Sequence, residues 1–356
     1  MQNIYFFIGT KAQAIKCIPL IDSFSTKNKY EIFLIDSGQH VEIVDSIIQN
    51  SKLSVQRINL FRNNKNVSSF KDGIYWIFYF IFSYLILNRT SKLNLNPGIC
   101  IVHGDTLSTL LGLLWAKKNH LKILHLESGL TSKKLFNPFP EEIIRRYVSK
   151  KSDILIAFDN ESYQNLVKKY KYKKIKKISE NTIIETLNLK EKINFDKRVT
   201  VTLHRTENLI SKKNLNTFIN FLIEVSENYT VNWYLHEPTK NYLKKYKIEV
   251  PKSINLYDLL PHEKFLRELK KSSFVITDGG SIQEECYFLG KKTIIWRLTT
   301  ERSYALNSNM FISKLDIEKS LKFLRLKEVE IIPSTLKDIE PSNEIINYLK
   351  SINVIS

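Results

Sequence analysis

Two short polar blocks, far apart in the chain, most constrain its fold. They are HGDT at residues 103–106 and TDGGSIQEE at residues 277–285. Each ends or directly follows an apolar run typical of a buried parallel strand, and each leads into a helix-like segment. In α/β sheets, ligands bind where a strand ends and the next helix begins. The two blocks therefore predict two α/β domains that face one ligand cleft.

The length and the alternation of patterns predict how the chain divides. Its 356 residues exceed what one hydrophobic core usually fills. Strand-like and helix-like segments alternate from residue 4 onward, which indicates α/β domains with parallel sheets. A charged stretch at 168–177 and a helix near 182–189 place the hinge within 178–196. We expect an N-terminal domain over 1–183, a C-terminal domain over 184–341, and a helix in 342–356 that packs back on the N-terminal domain.

The charge balance is strongly basic. The formal net charge is +18, from 54 Lys and Arg against 36 Asp and Glu. Clusters such as residues 168–177 would suit anionic lipid or nucleic acid. No nucleic-acid motif accompanies them, so a solvated surface is the favoured interpretation and we expect no nucleic-acid partner. The three cysteines lack paired spacing and the N-terminus lacks an export pattern, so we expect a reduced cytoplasmic location.

Residues 74–87, IYWIFYFIFSYLIL, are apolar or aromatic at every position but one. The run is shorter than the roughly 20 residues that span a bilayer, which argues against a transmembrane helix. A helix buried on all sides, between the sheet and a partner subunit, is favoured over an interfacial helix, because interfacial helices carry a polar face. Exposure of this run would indicate an oligomer contact or a peripheral membrane contact.

Carboxylates follow the strands of the N-terminal half or begin a helix there. Asp105, Glu127, Glu141 and Glu142 have these positions and would converge at one sheet edge. Removal of a weakly acidic C–H proton, and inversion at that carbon, need such acids within hydrogen-bond reach. The alternative is structural: Asp105 would cap a helix, and the two glutamates would favour a helix dipole. Glu141 and Arg145, four residues apart, would form an ion pair.

Several loops have the composition of anion sites. Gly9, Thr10 and Lys11 open a helix that carries Lys16, a place where N–H groups and a cation hold phosphate. His204 and Arg205 follow a strand at 199–203, and a diphosphate or ribose would dock at residues 279–285. Each of these also has a structural interpretation as a turn or a helix start. We expect no metal, since no ligand cluster has metal-site spacing.

Together these blocks resemble the non-hydrolysing branch of the UDP-N-acetylglucosamine 2-epimerase family. GTKAQAIK at residues 9–16 is similar to the family's GTRPEAIK, and HGDT matches its second motif. HLESGL at 125–130 resembles HVEAGL, and PFPEEIIRR at 138–146 resembles PxPEExNR. HRTEN at 204–208, TDGGSIQEE and TTER resemble HRREN, TDSGGIQEE and TTERPE. The motifs occur in the family's order over nearly the whole chain.

The resemblance implies two Rossmann-like domains in the GT-B arrangement, with UDP held mainly by the C-terminal domain. It implies epimerisation at C2 of a UDP-linked N-acetylhexosamine, such as UDP-GlcNAc to UDP-ManNAc or a modified relative, for surface polysaccharide. UDP is eliminated across C1 and C2 to give a 2-acetamidoglucal and is then added back. The resemblance also implies a UDP-sugar substrate, no cofactor and a homodimer.

The resemblance also assigns roles to individual residues. Asp105, Glu127 and Glu141 would move protons, and His204, Arg205 and Lys16 would stabilise the departing diphosphate. The catalytic set is Lys16, Asp105, Glu127, Glu141, Arg145 and His204. The substrate-binding set is Thr10, Lys11, Arg205, His236, Gly279, Gly280, Ser281, Glu285, Thr300 and Arg302.

The sequence also departs from the family's pattern. Lys11 and Gln13 replace an Arg and a Glu, Thr131 stands where the family usually has Arg, and residues 279–281 read GGS for SGG. These departures, with the aromatic run at 74–87, keep open a GT-B glycosyltransferase that uses a UDP-sugar donor at a membrane surface. A non-catalytic sugar-nucleotide-binding protein is the third alternative.

Overall fold

The chain folds into two compact units. The computed structural model describes residues 1–39, 44, 55–60, 75, 78, 95–131, 140–187, 189, 196–300, 309–326, 336 and 338–356. The first unit comprises Met1–Thr186 and Ile339–Ser356, and the second comprises Leu187–Asp338. The chain therefore enters the first unit twice, before and after the second unit.

The first unit is built on a parallel sheet with the strand order β3-β2-β1-β4-β5-β6-β7 among the described residues. Such a sheet needs a crossover between successive strands, and helices supply most of these here. The strands are β1 (Gln2–Ile8), β2 (Tyr30–Asp36), β3 (Gln56–Asn59), β4 (Gly98–His103), β5 (Lys122–Leu126), β6 (Ile154–Ala157) and β7 (Lys174–Lys177).

Helices cover both faces of this sheet, which is why β1 is apolar at almost every position. The helices are α1 (Lys11–Ser25), α2 (Leu107–Lys118), α3 (Glu141–Lys151), α4 (Asn160–Lys169), a 3-10 helix (Thr182–Thr186) and, from the chain's return, the C-terminal helix Pro341–Ser351. Alternate residues of β1 point to opposite faces. Phe6 packs with α1 and the C-terminal helix, whereas Phe7 packs with α2 and α3.

The second unit repeats this plan with the strand order β10-β9-β8-β11-β12-β13 among its described residues. The strands are β8 (Asp196–Val201), β9 (Thr230–Leu235), β10 (Ile254–Asp258), β11 (Ser272–Thr277), β12 (Thr293–Ile295) and β13 (Met310–Ile312). The helices are α5 (Thr206–Leu209), α6 (Lys212–Ser226), α7 (Glu237–Tyr246), α8 (His262–Lys271), α9 (Gly280–Phe288) and α10 (Ile317–Arg325); the C-terminal helix is then α11.

Aromatic side chains fill the core of the second unit. Phe218, Phe221, Trp233 and Trp296 are fully buried, and the rings of Phe221 and Trp296 stack with centroids 4.9 Å apart. Burying one such side chain stabilises a fold by about 1.5–3 kcal/mol. This cluster fixes α6 against β9 and β12, and so fixes the loops at the carboxyl ends of those strands.

Two segments have more structure or a different helix type than the sequence indicated. The basic stretch at 168–177, expected to be a solvated surface, contains the end of α4 and the edge strand β7. Lysines are tolerated there because an edge strand faces solvent. The helix expected near 182–189 is a short 3-10 helix, Thr182–Thr186. In the rest of the described residues, strands and helices alternate as expected.

The aromatic run at 74–87 lies largely outside the described residues. Its two described positions, Tyr75 and Phe78, are helical and are 81% and 69% exposed. These two side chains are therefore not covered by this chain itself, and burial against a partner subunit stays a prediction. No helix in the described part of the chain is long and apolar enough to cross a bilayer.

Candidate functional site

The loop between β1 and α1 is held by a buried glutamine. The Gln13 side-chain oxygen accepts from the backbone N–H of Gly9 and Thr10 at 3.0 and 3.2 Å. Its amide nitrogen donates to the His103 carbonyl at 2.9 Å and lies 3.0 Å from the hydroxyls of Thr106 and Thr109. Gln13 thus joins the loop after β1 to the loop after β4. Its role in the described structure is architectural.

Lys16 and Glu127 form a buried ion pair at the carboxyl end of the sheet. The Lys16 ammonium, 2% exposed, lies 2.8 Å from Glu127 Oε1. His103 Nδ1 lies 3.5 Å from Glu127 Oε2. Glu127 follows β5 with φ of +56°, in the left-handed region that costs a residue with a side chain about 1–3 kcal/mol. Such strain is typical of positions where the surrounding structure fixes a side chain for function.

Arg145 binds two carboxylates. Its Nη2 donates to Asp105, which follows β4, and its Nη1 donates to Glu142 at 2.7 Å. Glu142 is fully buried and also accepts from Arg146 Nε and the Thr131 hydroxyl, each at 2.8 Å. Removing one partner of such a network leaves an uncompensated buried charge. Glu142 therefore fixes Arg145, and Arg145 fixes Asp105.

Glu141 differs from these acids. Its Oε2 is buried and, among the described residues, has no hydrogen-bond partner. A buried polar atom without a partner is costly to a fold, and such atoms in native proteins often have a functional reason. Glu141 is therefore the carboxylate of this edge that is best suited to exchange a proton with a ligand.

A neutral histidine supports the turn before Asp105. His125 is fully buried, and its Nε2 donates to the Gly104 carbonyl at 2.7 Å. Because a carbonyl only accepts, Nε2 carries the proton, and Nδ1 faces the Ser149 hydroxyl at 3.3 Å. Burial lowers the pKa of His125 to about 4. The ring is therefore neutral near pH 7.

A buried aspartate organises the corresponding edge of the second unit. Asp278 accepts from the backbone N–H of His204 and Arg205 and from the Asn208 amide, at 2.9–3.1 Å. Burial alone would raise the pKa of Asp278, but the His204 ring and these donors outweigh burial and lower it to about 2. The loop that carries His204 and Arg205 is thus tied to the end of β11.

Three histidines line this edge. The rings of His204 and His236 stack with centroids 4.4 Å apart, and His204 Nδ1 lies 3.1 Å from Asp278. His262 Nε2 lies 2.9 Å from Glu285, whose side chain is 2% exposed. Glu285 is therefore held from within the fold by His262.

The glycine block begins α9. Gly279 is the N-cap of α9 and has no side chain that could accept a hydrogen bond. The N–H groups in the first turn of α9 are therefore not occupied by a capping side chain. A Cβ on Gly279 would lie 3.0 Å from the His204 ring. In the same region the Thr300 hydroxyl donates to Gln283 Oε1 at 3.0 Å. Backbone donors beside His204 and Arg205 suit an anionic group such as phosphate.

The sequence matches one family model over most of its length. Residues 22–318 match the model described as UDP-N-acetylglucosamine 2-epimerase. The chain belongs to the UDP-N-acetylglucosamine 2-epimerase family. The family, the isomerase class and the α/β fold with two Rossmann-like domains of the GT-B type, all predicted from the motifs, are therefore confirmed.

Relatives and solved structures agree with this membership. The UDP-N-acetylglucosamine 2-epimerase of Campylobacter jejuni is 28% identical over 347 residues, covering 87% of this chain and 85% of the relative. The Methanocaldococcus jannaschii UDP-GlcNAc 2-epimerase, solved with UDP-GlcNAc and UDP, matches with a TM-score of 0.79 and 24% identity, covering 98% and 100%. The Neisseria meningitidis enzyme bound to UDP-GlcNAc matches at 0.77 and 22%, covering 99% and 100%.

The predicted residues of this epimerase-family chain fall into two groups. In the first unit, Lys16 pairs with Glu127 and Arg145 pairs with Asp105. Glu141 Oε2 has no hydrogen-bond partner among the described residues. Thr10 is the N-cap of α1, and Lys11 begins that helix. In the second unit, His204, Arg205, His236 and Gly279 share the loops around Asp278, and Gly280, Ser281, Glu285 and Thr300 lie on or beside α9. Arg302 lies outside the described residues.

Two structural interpretations from the sequence are wrong. Thr106, not Asp105, caps α2, because its hydroxyl reaches the N–H of Thr109, and this leaves Asp105 to bind Arg145. Arg145 pairs with Glu142 rather than with Glu141, the partner that the spacing suggested. The Glu142 carboxylate lies among three donors, Arg145, Arg146 and Thr131, whereas Glu141 Oε2 has no hydrogen-bond partner among the described residues.

Sequence reasoning missed several residues that organise the site. Asp278 lies within a motif but was not among the expected site residues. The one sequence signal for its structural role is its position directly after a buried strand. Glu142 was among the candidate acids but was passed over for its neighbour. His262 had no signal in the sequence, because its partner Glu285 is distant in the chain and meets it only in the fold.

Proposed function

We propose that this chain epimerises C2 of a UDP-linked N-acetylhexosamine, UDP-GlcNAc or a modified relative, for surface polysaccharide biosynthesis. A base takes the C2 proton, the C1–O bond breaks, and UDP leaves with the bonding electrons to give a 2-acetamidoglucal. UDP then adds back at C1 while an acid returns a proton to the opposite face of C2. The atoms balance without a redox partner.

The observation that carries this proposal is the set of acids at the carboxyl edge of the first sheet. Asp105 and Glu127 are each fixed by a cation, while Glu141 keeps a buried oxygen without a hydrogen-bond partner in the described structure. Proton removal and return on opposite faces need two such groups. We assign proton transfer to these three acids, and the positioning of Glu127 and Asp105 to Lys16 and Arg145.

The second unit supplies the groups for the diphosphate. His204 and Arg205 stand beside the uncapped start of α9, where backbone N–H groups and cations favour negative charge. Stabilising the charge on departing UDP lowers the barrier to elimination. We assign UDP binding to Arg205, His236, Gly279, Gly280, Ser281, Glu285, Thr300 and Arg302.

Solvent deuterium tests the proposal. Purified protein incubated with UDP-GlcNAc in D₂O should yield both C2 epimers with deuterium at C2, detected by NMR and mass spectrometry. A glycosyltransferase or a binding protein would leave the C2 proton in place. If neither UDP-GlcNAc nor its deoxy or acetamido relatives exchange, the proposed activity is wrong.

The substrate, the oligomeric state and the location of the enzyme are proposed from the sequence-based predictions. A UDP-sugar is the proposed substrate, and UDP-GlcNAc is bound in the solved structures of two relatives. A cytoplasmic homodimer stays a prediction, as does peripheral membrane contact through 74–87. Light scattering would measure the oligomeric state, and co-sedimentation with vesicles would measure the membrane contact.

A further inference from the structure

A basic groove lies between the helices α3 and α4 of the first unit. Its volume is about 440 Å³, within the roughly 300–1,000 Å³ typical of small-molecule pockets. The loop 129–131 borders it. Asp105, Glu127 and Glu141 are not among its lining residues. The groove is therefore separate from the proposed catalytic carboxylates, although Arg145 belongs to both.

Cations outnumber acids in the described lining of the groove. Arg145, Arg146, Lys168 and Lys169 face Glu142 there. Both Glu142 oxygens are already occupied, by the two arginines and Thr131. Within the described residues neither Lys168 nor Lys169 has an ion-pair partner. Positive charge therefore exceeds negative charge in a concave site, which concentrates anions.

Two further details support a ligand rather than a solvated surface. The pKa of Lys169 is lowered, first by burial and then by the nearby charge of Arg146, and these outweigh the opposing effect of Glu142. Arg145 is 5% exposed, and its Nε has no hydrogen-bond partner among the described residues. The guanidinium is therefore not saturated by Asp105 and Glu142.

Thr131 contributes to the space. It lines the groove and uses a short hydroxyl to reach Glu142. An arginine at this position, as in the family's usual motif, would place a long side chain beside Glu142. The short residue thus keeps open a volume that an arginine would occupy.

We propose that this groove binds a small molecule bearing a diphosphate. Arginine forks and lysine ammonium groups recognise phosphate oxygens through charge-assisted hydrogen bonds. The volume exceeds what inorganic phosphate needs, and the Tyr170 ring, with Lys169 Nζ 5.5 Å from its centroid, adds an apolar wall. The shared chemistry is a diphosphate, carried either free or by a nucleoside.

Calorimetric titration of the full chain with inorganic pyrophosphate, and separately with UDP, tests this site at one fixed ionic strength. Lys168→Ala with Lys169→Ala should weaken pyrophosphate binding about tenfold, the loss of a charge-assisted contact. Lys171→Ala with Lys174→Ala, exposed lysines outside the lining, is the matched control and should leave it unchanged. Arg205→Ala, at the proposed UDP site of the second unit, should remove only pyrophosphate binding at that separate site and leave the affinity of the groove unchanged.

Thr131→Arg separates a pocket from a charged surface. A pocket predicts weaker binding because the new side chain fills it, whereas a surface attraction predicts tighter binding because charge is added. The UDP titration of Arg205→Ala identifies the source of the diphosphate. If this variant still binds UDP and the Lys168 and Lys169 changes remove that binding, the groove takes a nucleoside diphosphate. If this variant binds no UDP, the groove takes a free diphosphate.

Four results would overturn the proposal: no pyrophosphate binding to the wild type, its loss in Arg205→Ala, equal weakening by both lysine pairs, or tighter binding in Thr131→Arg. Thermal unfolding of each variant confirms that it is folded. Binding is measured without turnover, so the result does not depend on the proposed epimerase activity.

Discussion

The carboxyl edges of the two sheets use acidic side chains in opposite ways. In the first unit, the side chains of Glu127 and Asp105 are bound by Lys16 and Arg145 and remain at the edge, 11% and 26% exposed. In the second unit, Asp278 turns inward, is wholly buried, and accepts from the backbone of the loop that carries His204 and Arg205.

This difference suits two kinds of chemistry. In the first unit, cations hold the acids in position, so that carboxylates can face a ligand, as proton transfer requires. In the second unit, an acid holds the loop in position, so that basic side chains and backbone N–H groups can face a ligand, as diphosphate binding requires. The same type of fold thus supplies two complementary edges, and the following variants test whether the distinction holds.

Neighbouring glutamates of α3 give the largest expected contrast. Glu141→Gln should lower turnover about 10²–10⁴-fold, the usual contribution of a general acid or base, and should leave unfolding nearly unchanged because Glu141 has no ion pair in the described structure. Glu142→Gln should instead lower the free energy of unfolding by about 3 kcal/mol, since it unbalances a buried network. Steady-state kinetics and urea unfolding distinguish them. Equal turnover loss per folded molecule in both would contradict the assignment.

Removing the buried charge of the second unit should loosen its loop. Asp278→Asn should lower the free energy of unfolding by about 2–3 kcal/mol at pH 7, because hydrogen bonds to a charged group are lost, and should weaken UDP binding. Asp278 has a pKa of about 2 in the fold against an ordinary 3.8. Its contribution is therefore complete above pH 3.8 and is lost as pH falls toward 2.

The matched control for this change is Asp316→Asn, at the half-exposed N-cap of α10. Asn caps a helix about as well as Asp, so stability should change by less than about 0.5 kcal/mol. If the two variants unfold alike and bind UDP alike, Asp278 does not organise the loop.

The first unit should be sensitive to mild acid through His125. Its pKa in the fold is about 4, below the ordinary 6.5, so the unfolded chain takes up the proton first. Stability is then present above pH 6.5 and is lost as pH falls toward 4, by about 2 kcal/mol between pH 7 and pH 5. His125→Gln should flatten this part of the urea-unfolding profile. His120→Gln, at an exposed position, should keep the wild-type slope; a shared slope in all three proteins would exclude this role.

Gln13 should show the smallest effect. Gln13→Glu restores the carboxylate of the family's usual motif but removes the donor to the His103 carbonyl, which should cost about 1 kcal/mol of unfolding free energy. Turnover per folded molecule should remain, because Gln13 holds loops rather than substrate. A large rise in turnover would instead indicate that the departure at this position had cost the enzyme a catalytic acid.

The sequence predicted the two sheets and the motif loops well, because apolar runs and the residues after them are local signals. It did not predict β7, since four residues rich in lysine resemble a linker, nor the choice of Glu142 over Glu141 as the partner of Arg145. That choice depends on which glutamate faces Thr131 and the interior. His262 and Glu285 meet only through tertiary packing, so no local pattern could pair them.

The return of the chain to the first unit affects the order in which the protein can fold during synthesis. Ile345, Ile346 and Leu349 of α11 cover Leu20 and Phe24 of α1, and Glu185 and Glu344 accept hydrogen bonds from Ser342 and Ser179 across the same junction. A ribosome releases these residues only after the whole second unit has emerged. Until then the first unit carries an uncovered apolar face, which we expect to be the part of the nascent chain most dependent on chaperones.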